Sequence, residues 1–246
     1  MNIEQDRDAY VSGFTYYDDN ILLLKATLEQ ILRRTKEMKE LRLLSLGVGH
    51  RYVVKGLLDA LGDRLARYLI VEGSTEIIEL FNQELMPPPQ VELVHSYFED
   101  FNTDERFDVI EMGFILEHVV DPGVVLSRFR QFLAPGGRMM IAVPNAYSMH
   151  RLIGHQAGLM DNLHSLSDAD RALGHRRYFD PAQLEALIGE HGLQVVDRAG
   201  LMFKPFTTGQ LTALNLDTRI RDAMNEIGFA LPDICNGIFV EARPCP

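Results

Sequence analysis

Apolar residues fall along this chain in two patterns, and their spacing separates strands from helices. Leu41-Arg-Leu-Leu-Ser-Leu46, Ala66-Arg-Tyr-Leu-Ile-Val71, Phe107-Asp-Val-Ile-Glu-Met112 and Arg138-Met-Met-Ile-Ala-Val143 are short and apolar at most positions. That is the pattern of parallel strands covered on both faces. Further strands are predicted over 91–95, 193–197 and 237–242. Ile21, Leu24, Leu28, Ile31 and Leu32 instead form a one-sided stripe, which predicts a helix over 21–40 with Asp18, Asp19 and Asn20 as candidate caps. Other helices are predicted over 52–61, 74–85, 122–133, 181–190 and 208–228. Pro87-Pro-Pro89 stops the second of these, and Pro181 opens the fourth behind Asp180 as N-cap. Ala134-Pro-Gly-Gly137 reads as a turn. Segment 146–177 has little strand signal and many polar side chains, so it reads as an inserted helical lid. The alternation of strands and helices predicts a doubly wound α/β fold, with its ligand at the carboxyl ends of the central strands.

A length of 246 residues suits one such domain. Its parts are an N-terminal helical flap over 1–40, a core over 41–200 that contains the lid, and a closing helix and strand over 201–246. The formal net charge of -11 argues against a nucleic-acid partner, which requires a basic face, and suits a cationic ligand. Cys235 and Cys245 are the only cysteines, too few for a thiolate zinc cluster. The acidic, polar start of the chain is unlike a signal peptide, and no apolar run approaches membrane-spanning length, so a cytoplasmic protein without a membrane partner is expected.

Candidate chemistry gathers at the strand ends. Gly47 and Gly49 follow the first long strand and allow a tight turn with close approach of a ligand. Glu72 ends the next strand, where a carboxylate can grip ribose hydroxyls. A glycine corner alone is also what any strand-to-helix turn requires. Two longer segments add to it: Phe107-Asp-Val-Ile-Glu-Met-Gly-Phe-Ile-Leu-Glu-His-Val-Val-Asp-Pro122, and Arg130-Gln-Phe-Leu-Ala-Pro-Gly-Gly137 with Ile141-Ala-Val-Pro-Asn145. Gly174-His-Arg-Arg-Tyr-Phe-Asp-Pro181 follows later.

Over residues 41–200 these segments resemble the class I S-adenosylmethionine-dependent methyltransferases, in particular the branch that modifies small molecules and glycans. The resemblance implies a Rossmann-like seven-stranded sheet, mostly parallel with one antiparallel strand, with helices on both faces. It implies S-adenosylmethionine as cofactor and methyl transfer to an oxygen or nitrogen of a small molecule or glycan precursor. By the same resemblance, Gly47, Gly49 and His50 would wrap the methionine part, with Glu72 and Gly73 at the ribose. Tyr97 and Phe98 would flank the adenine, and Glu111, Met112 and Gly113 would lie beside the sulfonium. Asn145, Tyr147, His150, His175 and Arg176 would face the acceptor. The chain departs from the family pattern at Ser45, where an acid is usual, and at Arg51, where a third glycine is usual.

Several residues carry two readings. His118 is either a general base near the methyl group or a structural histidine in its turn. His175, Arg176 and Arg177 either hold an anionic group on the acceptor or form a solvated charge run. Tyr10, Tyr16 and Tyr17 either close over the cofactor or pack the first helix. The spacing of His150, His155, His164 and His175 matches no standard metal-ligand motif, so no metal is expected. The rival functions are a nicotinamide enzyme, disfavoured by Tyr52 in the third glycine position of Gly-x-Gly-x-x-Gly, and a non-catalytic binding protein. A homodimer is compatible with either.

Overall fold

The computed structural model describes residues 16–48, 51–85 and 87–245. Tyr10, Gly49 and His50 lie outside the described residues. Seven strands make one sheet in the order β3-β2-β1-β4-β5-β7-β6. They are β1 (Leu41–Leu46), β2 (Leu65–Glu72), β3 (Val91–His95), β4 (Phe107–Gly113), β5 (Leu133–Pro144), β6 (Leu193–Leu201) and β7 (Gly237–Pro244). β1 to β5 pair in parallel, and β7 runs antiparallel between β5 and β6. The predicted sheet is therefore borne out. The strand order reverses between β1 and β4, and that switch point opens the crevice where such folds bind ligands.

Alternation along the strands sorts side chains to two cores. Leu44, Leu46, Ile110, Met112, Ile141 and Val143 face α4 (Pro122–Arg130) and α7 (Pro181–Glu190). Leu43, Tyr68, Ile70, Val109 and Met140 face α1 (Tyr17–Thr35), α2 (Arg51–Leu61) and α3 (Thr75–Leu85). Both faces of the central strands are covered, which is why they read as nearly unbroken apolar runs.

Several boundaries move from their predicted places. α1 begins at Tyr17 and ends at Thr35, so Asp18 and Asp19 lie inside its first turn and its N-cap, Tyr16, makes no side-chain cap. α4 stops at Arg130, and Ala134-Pro-Gly-Gly137 is a shift in register within β5 rather than a turn ahead of it. A Cβ on Gly137 would lie 2.9 Å from the carbonyl oxygens of Ala134 and Phe107, so this irregularity in the strand requires glycine there. The predicted helix over 208–228 is two helices, α8 (Thr208–Ala213) and α9 (Thr218–Gly228). Asn215, at φ 45°, breaks the run, and the Asp217 side chain caps its restart. The lid carries α5 (Met149–Gln156) and α6 (Asp168–Ala172).

Candidate functional site

Turns at the carboxyl ends of β1, β2 and β4 form one end of a cavity of about 1350 Å³. Gly47 leaves β1 at φ 75°, a conformation that disfavours any side chain, and its N–H donates to Val71 at 2.7 Å. Glu72 is buried at the tip of β2. Its Oε2 accepts from the Val48 amide at 2.9 Å and its Oε1 from the Ser74 amide at 3.0 Å. The carboxylate thereby pins the β1 turn to the β2 turn. Each oxygen keeps a second lone pair, so the group can still accept from two hydroxyls. Gly73, Tyr97 and Phe98 line the same end; Tyr97 is exposed, and Phe98 packs edge-on against Phe129 at 6.3 Å. Glu76 and Glu79 of α3 also line the wall and favour a positively charged ligand. Arg51 also lines the cavity, where its guanidinium pairs with Glu84.

Beneath this end lies a buried polar cluster that only the strand register creates. Ser45 stands opposite Glu111 across β1 and β4, and its hydroxyl lies 3.0 Å from that of Tyr68. Glu111 is buried and folds over Gly113, where a Cβ would lie 2.4 Å from its Oε1. An acid absent from β1 thus returns on the neighbouring strand. Burial pushes the Glu111 carboxyl up to about 7, against the pull of hydrogen bonds from Ser45 and the Gly113 amide. Glu111 and Met112 do not line the cavity, while Gly113 does. Because the folded state holds the Glu111 proton more tightly than the unfolded chain, at 4.5, its stabilising effect is complete below about 4.5 and fades as pH rises to about 7. Relative to Glu111→Gln, the wild type is expected to lose up to about 1.4 kcal/mol per pH unit across that interval. Urea denaturation of both proteins at several pH values measures this, and parallel curves would contradict it.

The other end of the cavity joins the β4–α4 loop to the lid. Glu117, His118, His150, Asp170, His175 and Tyr178 line it. Arg176 donates from its backbone to the Glu117 carbonyl at 2.8 Å and from its Nε to the His118 carbonyl at 2.9 Å. Arg177 donates to the carbonyls of Leu116 and Val120. These bonds bring the His118 and His175 rings edge to face at 4.8 Å. Arg176 and Arg177 are thus engaged with this loop, and neither lines the cavity. Burial, then the neighbouring His175, pushes His118 down to about 3, so it is neutral at ordinary pH and weak as a base. Burial with Lys204 and Arg151 likewise lowers His150 to about 4.

Asp170 was missed in the sequence, where nothing links it to His175 and Tyr178. The Ser167–Asp170 capping box of α6 fixes the carboxylate, which accepts from the Tyr178 hydroxyl at 3.0 Å and faces His175 Nδ1 at 3.5 Å. Burial raises its pKa, but hydrogen bonds from His175 and Ser167 outweigh that and hold it well below the usual carboxylate range. Asn145 and Tyr147 stand outside the cavity wall. Asn145 donates to the Asp233 and Cys235 carbonyls, each at 3.0 Å, and Tyr147 packs on His164. His155 and His164 turn elsewhere, to Met160 and Asp180. Tyr16 lines the cavity near Asp19 and Lys204, and Tyr17 opens α1.

The arrangement fits S-adenosylmethionine at the β1–β2 end. A carboxylate with spare lone pairs meets a diol, acidic side chains meet a sulfonium, and the volume exceeds the roughly 300–1,000 Å³ of most small-ligand sites, leaving room for a second reactant.

Residues 16–198 match the family described as "Methyltransferase domain". Among curated relatives, a ubiquinone biosynthesis O-methyltransferase of Cereibacter sphaeroides is 32% identical over 108 residues, covering 41% of this chain and 40% of the relative. One with the same name from Dinoroseobacter shibae is 24% identical over 72% of this chain and 69% of its own length. The chain thus spans about two-fifths of the relatives it matches at higher identity. Among solved structures, an S-adenosylmethionine-dependent methyltransferase from Mesorhizobium loti superposes with a TM-score of 0.59 at 16% identity, covering 94% of this chain and 98% of that one. The N-methyltransferase NodS from Bradyrhizobium japonicum superposes with a TM-score of 0.56 at 13% identity, covering 91% and 97%. At those identities the likeness is one of fold. With a match that spans most of the described chain, the protein belongs to the methyltransferase-domain family, and its fold is that of the S-adenosylmethionine-dependent methyltransferase from Mesorhizobium loti.

Proposed function

We propose that this protein binds S-adenosylmethionine at the tips of β1, β2 and β4 and moves its methyl group to an oxygen or nitrogen of a small molecule. The observation that carries the reading is one continuous cavity, with the Gly47–Glu72 turn at one end and an acid–histidine wall at the other. When bound, the cofactor supplies a methyl group already activated by a positively charged sulfur. The chain's own tasks are then to hold, align and dehydrate the reactants and to receive a proton. Glu72 holds the ribose. Gly47, Gly73 and Gly113 keep the backbone close, and Tyr97 and Phe98 flank the adenine. Tyr178 and Leu173 help to wall off water, and the acceptor's proton passes to Glu117 or His175, since His118 is a weak base and Asp170 is held ionised. The names of the sequence relatives favour oxygen as the acceptor atom.

Calorimetry is expected to show saturable binding of S-adenosylhomocysteine and none of a nicotinamide dinucleotide. Radiolabelled cofactor is then expected to label hydroxylated aromatic or quinol compounds in an acceptor panel. Dinucleotide binding without S-adenosylhomocysteine binding would overturn the reading. Cofactor binding with no transfer across a broad panel would favour the non-catalytic rival.

A further inference from the structure

We propose that Glu117, His118 and His175 bind a divalent first-row transition metal at the acceptor end of the cavity. One carboxylate oxygen and one nitrogen from each imidazole lie within 4.8 Å of one another, and all three residues line the cavity. Two imidazoles and one carboxylate with open positions beside them suit zinc, iron or cobalt better than magnesium or calcium. Metal–ligand bonds of about 2.0–2.2 Å bring ligand atoms to roughly 3–4 Å from one another, so the set closes by movements on the order of an ångström.

Sequence spacing pointed away from a metal because the ligands come from two segments. Glu117 and His118 sit in the β4–α4 loop, and His175 comes from the lid. Arg176 and Arg177 hold that loop by four of its carbonyls, which fixes the ligand-bearing backbones against each other.

The surroundings of His175 are a second, independent observation. Metal-binding histidines present their other ring nitrogen to a carboxylate that is itself hydrogen-bonded. Asp170 fills this place behind His175, and Tyr178 and the Ser167 hydroxyl and amide hold it there. His164 also meets a carboxylate, Asp180, but stands outside the cavity, whereas His95 and His155 face carbonyls and His191 a hydroxyl. Where the methyltransferase reading holds, such a site selects oxygen acceptors, because a hydroxyl gives up its proton more readily on meeting a cation.

The test uses the untagged full chain, stripped with a chelator and titrated with Co²⁺ under visible absorption and with Zn²⁺ in a calorimeter. Saturable uptake of one ion per chain with a cobalt d–d band is expected. His118→Ala and His175→Ala should each weaken it at least tenfold, and Asp170→Asn by about 10–100-fold. Circular dichroism checks folding; where an alanine variant unfolds, His118→Gln or His175→Gln takes its place. No saturable uptake by folded wild type, or undiminished uptake by a folded variant lacking both histidines, would overturn the site. S-adenosylhomocysteine binding is measured on the same metal-free sample. Its persistence without cobalt uptake removes the metal site alone, whereas loss of cofactor binding strikes the methyltransferase reading.

Discussion

Lys204→Met is expected to lower the stability of the protein by about 3–5 kcal/mol, the cost of leaving one partner of a buried ion pair alone. Lys204 Nζ donates to Asp19 Oδ2 at 2.6 Å and to Thr208 Oγ1 at 2.8 Å. The two charged side chains are only 7% and 11% exposed. Asp19 lies in the first turn of α1, Lys204 follows β6, and Thr208 opens α8, so one ammonium group fastens three separate stretches of chain. Truncating it leaves a carboxylate that solvent hardly reaches. A double variant, Lys204→Met with Asp19→Leu, should recover most of the loss, since an apolar pair of similar size often replaces a buried ion pair without penalty. Urea denaturation of the two single variants and the double variant gives the coupling energy. A loss below about 1 kcal/mol in the single variant would place the pair with surface bridges instead.

Glu72→Ala is expected to weaken S-adenosylhomocysteine binding by on the order of 1.5–3 kcal/mol, roughly 10- to 150-fold, the worth of hydrogen bonds to a charged group. The same change frees the Val48 and Ser74 amides from their common acceptor, so the two turns loosen together. Glu72→Gln probes the geometry more sharply. An amide side chain has one acceptor atom, and its NH₂ would have to face one of these two backbone donors. The glutamine variant should therefore lose affinity despite its matching shape. Calorimetry on folded variants measures the effect, and unchanged affinity in both would mean that the ribose is held elsewhere.

The sheet was legible because its central strands are covered on both faces. Leu41–Leu46 and Phe107–Met112 are apolar at four of six positions each, and β1 and β3 matched their predicted bounds. Glu72 was legible for a local reason, as an acid closing an apolar run. Features that depend on register or on distant contact were hidden. Ser45, Tyr68 and Glu111 meet only because β1 pairs with β2 on one side and β4 on the other. Asp19 looked like a helix cap until its partner, 185 positions later, was in place. The break at Asn215 was masked by apolar residues on both sides that keep a helical period through it. Asn145 was read as facing the acceptor from its motif, yet its amide is spent holding the carbonyls of residues 233 and 235.

The arginine grip on the β4–α4 loop bears on turnover. Releasing residues 175–178 would break several main-chain anchors at once and pull His175 from Asp170. With each such bond worth about 0.5–1.5 kcal/mol, that wall is a costly place for the cavity to open, and the rim beside the exposed Tyr97 a less costly one.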